Sequence, residues 1–519
     1  MLLPRPRTLS RSWHRRKGLF VAQLLGLICF VLFVHSLLPR PVQEALPAAL
    51  SAPTDVKPTN PLLKSQAAFW RDLYHIISRN DPNCEHPPEA VVPQKLDIGF
   101  DPSHNHQRPD ILFMDTADIR RMREAHSNFV GELKKSPPKM PYEPDTRGIV
   151  MTAGFEQLPV LVISLRMLRR TWSLLPVEVF LADAADYDAK ICNEVLPTLN
   201  AKCVIFADIF QAAESRVSIE RFQYKIMSVL FSSFEEVLLI DSDAFPLYDP
   251  LDLFLAQPFN RTGMVVWPDF WYASESPYYF EIANIKDIPP LNTRSAVESG
   301  ELMFSKSKHS LGLMLATYYN FYGPNYYYPL LSQGAPGEGD KETFAWAATA
   351  VNEPFYPVFE PVKALGRIDS SGNFIGSAMA QHDPRPDYAI AQDRWNEHHQ
   401  KTVTKSTGNN QAVKPFFIHA NFPKFNPATI FGEQTRDFSA QVIGSGGPTR
   451  DSNGTWVRCW MDPVRAVEMF GFDVEKRFWE EIKGTACEYE HQFGCWKGKK
   501  GICDRVKDYW NEVFETPQG

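Results

Sequence analysis

The chain has 519 residues, which allows one large domain or two ordinary ones with room for non-globular segments. Charged residues make up 22% and aromatic residues 13%, a composition that excludes wholesale disorder. A net charge of −7, with no basic stripe beyond the N-terminus, excludes a general nucleic-acid binder.

Arg5, Arg7, Arg11, Arg15, Arg16 and Lys17 precede the run Leu19 to Leu38, "LFVAQLLGLICFVLFVHSLL". That run carries no fixed charge, and at about 1.5 Å per residue it spans roughly the 30 Å of a bilayer core. A cleaved signal peptide is the alternative, but its apolar stretch is usually about 7–15 residues, and no small-x-small site closes this one directly. Residues 19–38 therefore read as an uncleaved transmembrane signal anchor. The basic tail, 1–18, stays in the cytosol by the positive-inside rule, so everything after Pro39 is luminal in a single-pass type II topology. Residues 39–61, "PRPVQEALPAALSAPTDVKPTNP", lack apolar periodicity and read as a stem.

Cysteine usage agrees with this topology. Cys29 lies in the anchor, whereas Cys84, Cys192, Cys203, Cys459, Cys487, Cys495 and Cys503 fall where disulfides persist. Seven is odd, which leaves one free or paired between chains. Cys192 with Cys203 is a candidate short bridge, and the last four could form two more, although the sequence does not give their connectivity. A zinc site in the tail lacks the C-x2-C spacing. The sequons at Asn260 and Asn453 are compatible with luminal exposure.

Residues 62–147 read as a helical lead-in packed on a catalytic domain. Phe69, Leu73, Ile76 and Ile77 follow helical spacing, as do Ile119, Met122, Phe129 and Leu133. From about Gly148 short apolar strands alternate with helices. "GIVMTAG" reads as a strand, Leu158, Leu161, Val162, Leu165 and Leu168 trace a helix face, and "VEVFLAD" and "CVIFADI" are the next strands. Phe222, Ile226, Val229 and Leu230 mark another helix, and Val237 to Ile240 a further strand. This alternation predicts an α/β domain over 148–435, with a mostly parallel sheet, helices on both faces and ligands beyond the carboxyl ends of the strands. No Gly-x-Gly-x-x-Gly or Walker motif occurs. "FFIHANFPKFNP", from Phe416, reads as a strand followed by a loop. A Gly-rich turn, "GSGGPTRDSNG", then leads into a cysteine-bearing C-terminal cap, 436–519.

The chemistry centres on "EEVLLIDSDAFPLYDP", Glu235 to Pro250. Asp241 and Asp243 stand one residue apart at the end of an apolar strand, an arrangement that is costly unless a cation compensates it. A metal bridging protein oxygens and a diphosphate suits this placement. Asp-x-Asp alone is common: Asp186-Tyr187-Asp188 repeats it, and a turn whose carboxylates cap backbone amides is the plain alternative. Haloacid-dehalogenase phosphatases also end a strand in Asp-x-Asp, but usually place Thr or Val where Phe245 stands here.

"FQYKIMSVLFSSFEEVLLIDSDAFPLYDPLDLF", with "RGIVMTAG" upstream and "ESGELMFSKSKH" and "GDKETF" downstream, resembles the fungal Golgi mannosyltransferases that build mannan side branches. That family holds α-1,2- and α-1,3-mannosyltransferases, and the similarity runs from about Asp115 to Phe431. The resemblance implies a GT-A glycosyltransferase fold, GDP-mannose as donor and Mn2+ as cofactor. It makes Asp241 and Asp243 the pair that holds the metal and the donor diphosphate. A late histidine commonly completes such a site; His419 is the candidate, with His382 as substitute, and nearby Lys424 could meet a phosphate.

Thr152, Ala153 and Gly154 end the first strand, either as a close approach to the nucleotide or as a plain turn. Lys225 is placed to reach donor phosphates unless it is a solvated helix lysine. Glu298 and Gly300 flank the sugar pocket, Glu298 as a ligand of mannose hydroxyls. Asp340 and Glu342 are the remaining acids for the transferred mannose, the acceptor hydroxyl or a covalent intermediate, unless Asp340 caps the helix at Phe344. Asp269 has aromatic company suited to sugar rings, although the cluster could equally be core.

The expected activity is retaining α-1,2 transfer of mannose from GDP-mannose to mannose-terminated glycans by a Golgi membrane enzyme, with other Golgi mannosyltransferases as candidate complex partners. α-1,3 transfer is the rival, and a catalytically inert luminal glycan-binding subunit is the reading from another class.

Overall fold

The computed structural model describes residues 60–87, 96–399, 412–432 and 446–515. The basic tail, the signal anchor and nearly all of the stem lie outside these residues. Among the described residues no helix is long and apolar enough to cross a membrane.

Eleven strands position the site: β1 (Glu143–Thr152), β2 (Val177–Leu181), β3 (Ala201–Ile205), β4 (Phe234–Ile240), β5 (Ala244–Pro246), β6 (Met264–Tyr272), β7 (Ser295–Ser305), β8 (Tyr356–Pro357), β9 (Lys363–Ile368), β10 (Phe374–His382) and β11 (Pro415–His419). The helices used below are α1 (Pro61–Arg79), α2 (Thr116–Lys135), α3 (Leu158–Arg170), α4 (Gln223–Phe231), α5 (Ser310–Phe321), α6 (Thr343–Val351), α7 (Val474–Tyr489) and α8 (Ile502–Trp510). Local chemistry sets several of their starts. The Asn60 side chain accepts from the Leu62 N–H with Pro61 in the first turn of α1, and the Asp473 carboxylate accepts from the Lys476 N–H at α7.

The central sheet has the order β3-β2-β1-β4-β7-β6-β8. β3, β2, β1 and β4 pair in parallel, as the alternation predicts, and β6 pairs in parallel with β8. β7 is antiparallel to both neighbours. Its reversal brings the start of "ESGELMFS" beside the carboxyl end of β4. The expected third strand is shorter than "CVIFADI". β3 stops at Ile205, and Phe206, Ile209 and Phe210, spaced as one helix face, are buried by a helix over Phe206–Ala212.

Strand periodicity explains why "VLLI" is wholly apolar. Leu238 and Ile240 join one core with Ile149 and Met151, helix α3 and the tail residues Trp460, Phe478 and Trp479. Val237 and Leu239 join a second core with Phe69 and Trp70 of α1, Phe129 of α2, Ile226 of α4, Tyr318 of α5 and Phe344 of α6. Both faces are covered, so neither can be polar. The segment read as a cap thus supplies one of the two layers on the sheet.

A second, antiparallel sheet has the order β5-β11-β10-β9. β5 follows the Asp241–Asp243 turn directly, and β11 pairs with it so that His419 lies opposite Ala244.

The Cys192–Cys203 bridge forms, and Cys487–Cys503 ties α7 to α8. Of the last four cysteines, which could have formed two bridges, only Cys487 and Cys503 pair. Cys459 is buried with its Sγ 3.4 Å from the Tyr509 hydroxyl, whereas Cys495 is buried beside Asp188, which accepts its N–H. The two thiols occupy separate environments and stay free, as does Cys84. Asn260 and Asn453 are both exposed.

Candidate active site

Asp241 leaves β4 with its N–H donating to the Gly300 carbonyl at 2.8 Å, and two residues later Asp243 is 2% exposed. The Ala420 N–H donates to the Asp243 carbonyl at 2.8 Å, which locks the end of β11 onto the turn. His419 Nε2 consequently lies 3.2 Å from Asp243 Oδ1 and 3.8 Å from Asp241 Oδ2. Lys424 contacts Asp243 Oδ2 from the loop after β11. Lys225, from α4, donates to Asp241 Oδ2 at 2.9 Å and to the Ser299 carbonyl and hydroxyl at 3.0 Å.

Neither carboxylate of the pair caps a backbone amide in these contacts. The contrast with the second Asp-x-Asp is direct. Asp186 Oδ1 accepts from the Phe155 N–H, and Asp188 accepts from the N–H groups of Lys190, Ile191 and Cys495. Asp186 and Asp188 therefore do the plain capping work that sequence alone allowed for both pairs.

β7 adds further groups through an irregularity. Val266 pairs with Leu302 while the next residue of β6, Trp267, pairs with Glu298, so Ser299 to Glu301 form a bulge on β7. Glu298 Oε2 lies 3.6 Å from His419 Nδ1 and accepts from the Gly300 N–H at 2.5 Å. Glu301 is fully buried, and neither of its carboxylate oxygens has a hydrogen-bond partner among the described residues. Ser299 donates to Asp340 Oδ1 at 3.1 Å, and Asp340 Oδ2 has no partner among the described residues. The alternative, capping of α6 by the Asp340 side chain, does not occur; the Asp340 backbone carbonyl accepts from the Thr343 N–H instead.

The remaining expected residues are placed as follows. Thr152, Ala153 and Gly154 are half-buried at the carboxyl end of β1, next to β4. Glu342 faces Arg294 at 2.8 Å and accepts from the Val297 N–H at 2.7 Å, so its carboxylate is engaged by the entry to β7. Asp269 accepts from Lys341 Nζ at 2.8 Å. Trp267 of its aromatic cluster is core, with its Nε1–H donated to the His382 carbonyl, while Phe270 and Trp271 are half-buried. His382 belongs to neither group of potential metal ligands found among the described residues. Those groups are Asp241–Asp243–His419 and Glu298–Glu301–His419.

Electrostatics follow from this crowding. Burial works against the Lys225 charge, but Asp241, Asp340 and Glu298 outweigh it and hold the ammonium above its ordinary value. Burial opposes ionisation of Asp243 as well, yet Lys424 and His419 hold it well below the usual carboxylate range. Burial likewise opposes the charge on His419, and Asp243 and Glu298 outweigh it, keeping the imidazole protonated well above its ordinary value. His419 and Lys225 bring Glu298 down to about 2 despite its burial. Burial, then the charges of Asp241 and Glu298, pushes Asp340 up to about 6, although Lys225 opposes the shift. Glu301 is driven well above its ordinary value by burial and by Glu298.

Five carboxylates thus crowd around Lys225, Lys424 and one imidazole. Two carboxylates and an imidazole nitrogen form a donor set that fits Mn2+ or a similar divalent cation, which would take the place of the His419 proton. Gly300 is required for this geometry: a Cβ there would lie 2.4 Å from His419 Nδ1 and 2.6 Å from Glu298 Oε2. Gly300→Ala is expected to displace the ring and weaken Mn2+ binding roughly 10-fold or more. Calorimetric titration with Mn2+ checks this, and unchanged affinity would refute the steric argument.

Comparison with known proteins identifies the family of the chain. A family model described as "Mannosyltransferase putative" matches residues 146–296 and 287–383. Alpha-1,2-mannosyltransferase MNN21 of Candida albicans is 31% identical, over 78% of this chain and 67% of that protein. Alpha-1,2-mannosyltransferase MNN2 of Saccharomyces cerevisiae is 32% identical, over 73% of this chain and 76% of that protein. Among solved structures, the galactosyltransferase LgtC has a TM-score of 0.28 at 10% identity, over 41% of this chain and 73% of that one. With a relative more than 30% identical along most of both chains, and a cluster of acids and a histidine at the carboxyl end of its central strand, this chain belongs to the mannosyltransferase family that includes the fungal MNN2 proteins.

Proposed function

We propose that the protein is a metal-dependent α-1,2-mannosyltransferase of GT-A fold that moves mannose from GDP-mannose to mannose-terminated glycans. The observation that carries this reading is the Asp241–Asp243–His419 cluster at the carboxyl end of β4, within a family whose similar members are named α-1,2-mannosyltransferases. The linkage rests on those relatives. Anchorage in the Golgi membrane with the catalytic domain in the lumen is supported by the charge and hydropathy of residues 1–38 and by two disulfides suited to an oxidising compartment.

Asp241, Asp243 and His419 would hold Mn2+, which when bound supplies Lewis-acid stabilisation of the departing diphosphate. Lys225 and Lys424 flank the two aspartates from opposite elements and meet donor phosphates as point charges. Thr152 to Gly154 border the same end of the sheet, half-buried beside β4, where they would approach the nucleotide. Asp340, with one unpartnered oxygen, binds a hydroxyl of the transferred mannose. Glu342 has a positioning role instead, because Arg294 and Val297 already occupy its carboxylate.

Donor and product are both α, so transfer is retaining. The test incubates the purified protein with Mn2+, α-mannobiose and a panel of nucleotide sugars. Chain extension from GDP-mannose alone, stopped by chelation and restored by Mn2+, is the expected result, with linkage analysis assigning α-1,2. A folded protein that binds mannosides but transfers from no donor would instead be an inert glycan-binding subunit.

A further inference from the structure

We infer that Glu298 is the positioning residue for His419: its carboxylate faces Nδ1 and so turns Nε2 toward Asp241 and Asp243. The inference rests on the reading of Asp241, Asp243 and His419 as a divalent-metal site.

A histidine ligates through one ring nitrogen, and what the other nitrogen meets sets the tautomer and the ring plane. His419 Nε2 points at the aspartates, 3.2 Å from Asp243 Oδ1 and 3.8 Å from Asp241 Oδ2. Nδ1 points the other way, 3.6 Å from Glu298 Oε2, with no hydrogen-bond partner of its own among the described residues. The 3.6 Å separation is an ion-pair distance, and the carboxylate is the group toward which an Nδ1 proton is drawn. His419 is 4% exposed, so water offers little competition for that proton.

Glu298 is itself fixed. The Gly300 N–H donates to the same Oε2 at 2.5 Å, within the bulge that separates Glu298 from the regular pairing of β7 with β6. Gly300 also seats the ring, since a Cβ there would strike both Nδ1 and Oε2. Glu301 offers a ligand atom within 4.8 Å of those of Glu298 and His419, and both its oxygens lack partners among the described residues, so this flank of the imidazole is acidic. A carboxylate held by a backbone amide and aimed at the back of a ligand histidine orients the metal site. This differs from the sugar-hydroxyl role that sequence alone suggests for Glu298.

The test uses the full-length protein in detergent, as parent, His419→Ala, Glu298→Ala and Glu298→Gln, each checked for fold by circular dichroism. Mn2+ binding is followed by EPR, and pulsed EPR reads the 14N modulation from a coordinated imidazole. The parent is expected to show that modulation and His419→Ala to lose it. Glu298→Ala should weaken Mn2+ binding roughly 10- to 100-fold and reduce the modulation, in line with the loss of a residue that orients a metal ligand. Glu298→Gln, whose amide oxygen can occupy the same position facing Nδ1, should recover most of both. If Glu298→Ala does not fold, Glu298→Asp, which withdraws the charge by one methylene, carries the test with the same expected direction. Parental Mn2+ affinity and modulation in Glu298→Ala or Glu298→Asp, with a raised KM for GDP-mannose, would overturn the inference and assign Glu298 to the donor. A parent that shows no 14N coupling to Mn2+ is a separate failure, overturning the metal-site reading itself.

Discussion

Asp243→Asn is expected to lower mannose transfer roughly 10^3-fold, about 4 kcal/mol of transition-state stabilisation, while leaving the protein folded. The substitution keeps the shape of the side chain and removes one charge from a group that is 2% exposed. That charge answers Lys424 and His419 in the resting protein and would anchor the metal in the working one. Asn can occupy the space but offers a divalent cation a neutral carbonyl in place of a carboxylate, a weaker ligand without the compensating charge. A matched control exists at the same spacing. Asp188→Asn should lower stability, because Oδ2 also accepts from the Cys495 N–H and an amide NH2 cannot, but it should leave transfer by the folded protein within about twofold, since Asp188 lies outside the Asp241–Asp243–His419 cluster. Steady-state kinetics with GDP-mannose and Mn2+ titration of both variants decide the matter. Equal losses in the two, or full activity in Asp243→Asn, would remove the metal from the account of this site.

The residues around Asp243 were legible in the sequence to very different degrees. The strand "VLLI" was readable because burial on both faces of a sheet leaves no room for alternation, and the acids at its end stood out against it. His419 was readable for the same reason, as the polar end of "PFFIH". Glu301 was not. It stands three residues after Glu298, and on a regular strand an odd spacing sends two side chains to opposite faces. Only the bulge over Ser299 to Glu301 brings both within reach of His419, and a bulge has no period to detect. The direction of β7 was equally hidden, since an apolar run reads the same for parallel and antiparallel pairing. The cysteines of the tail offered several pairings, and packing against Tyr509 and Asp188 decides which thiols never meet.

Trp479→Ala in α7 is expected to cost about 3–5 kcal/mol of stability, the range for a fully buried aromatic side chain cut to a methyl. Trp479 is 0% exposed and its indole N–H has no hydrogen-bond partner among the described residues, so the loss is packing alone. Its ring lies 4.3 Å from that of Tyr509 in α8 and 6.0 Å from those of Phe425 and Phe431. Phe425 is the residue after Lys424, and it is also held by Trp460 and Phe478. The tail therefore fixes the loop that carries Lys424 beyond β11. Stability and catalysis should fall together: weaker docking of α7 frees Phe425, Phe425 frees Lys424, and Asp243 loses a cation that holds it in place. Guanidinium unfolding measures the first effect as a lower midpoint at unchanged slope. The KM for GDP-mannose below the melting range measures the second, and it should rise in Trp479→Ala as in Phe425→Ala. A variant that keeps the parental midpoint would mean that α7 sits loosely on the sheet. One that loses stability with an unchanged KM would mean that Lys424 is held by Asp243 without help from the tail.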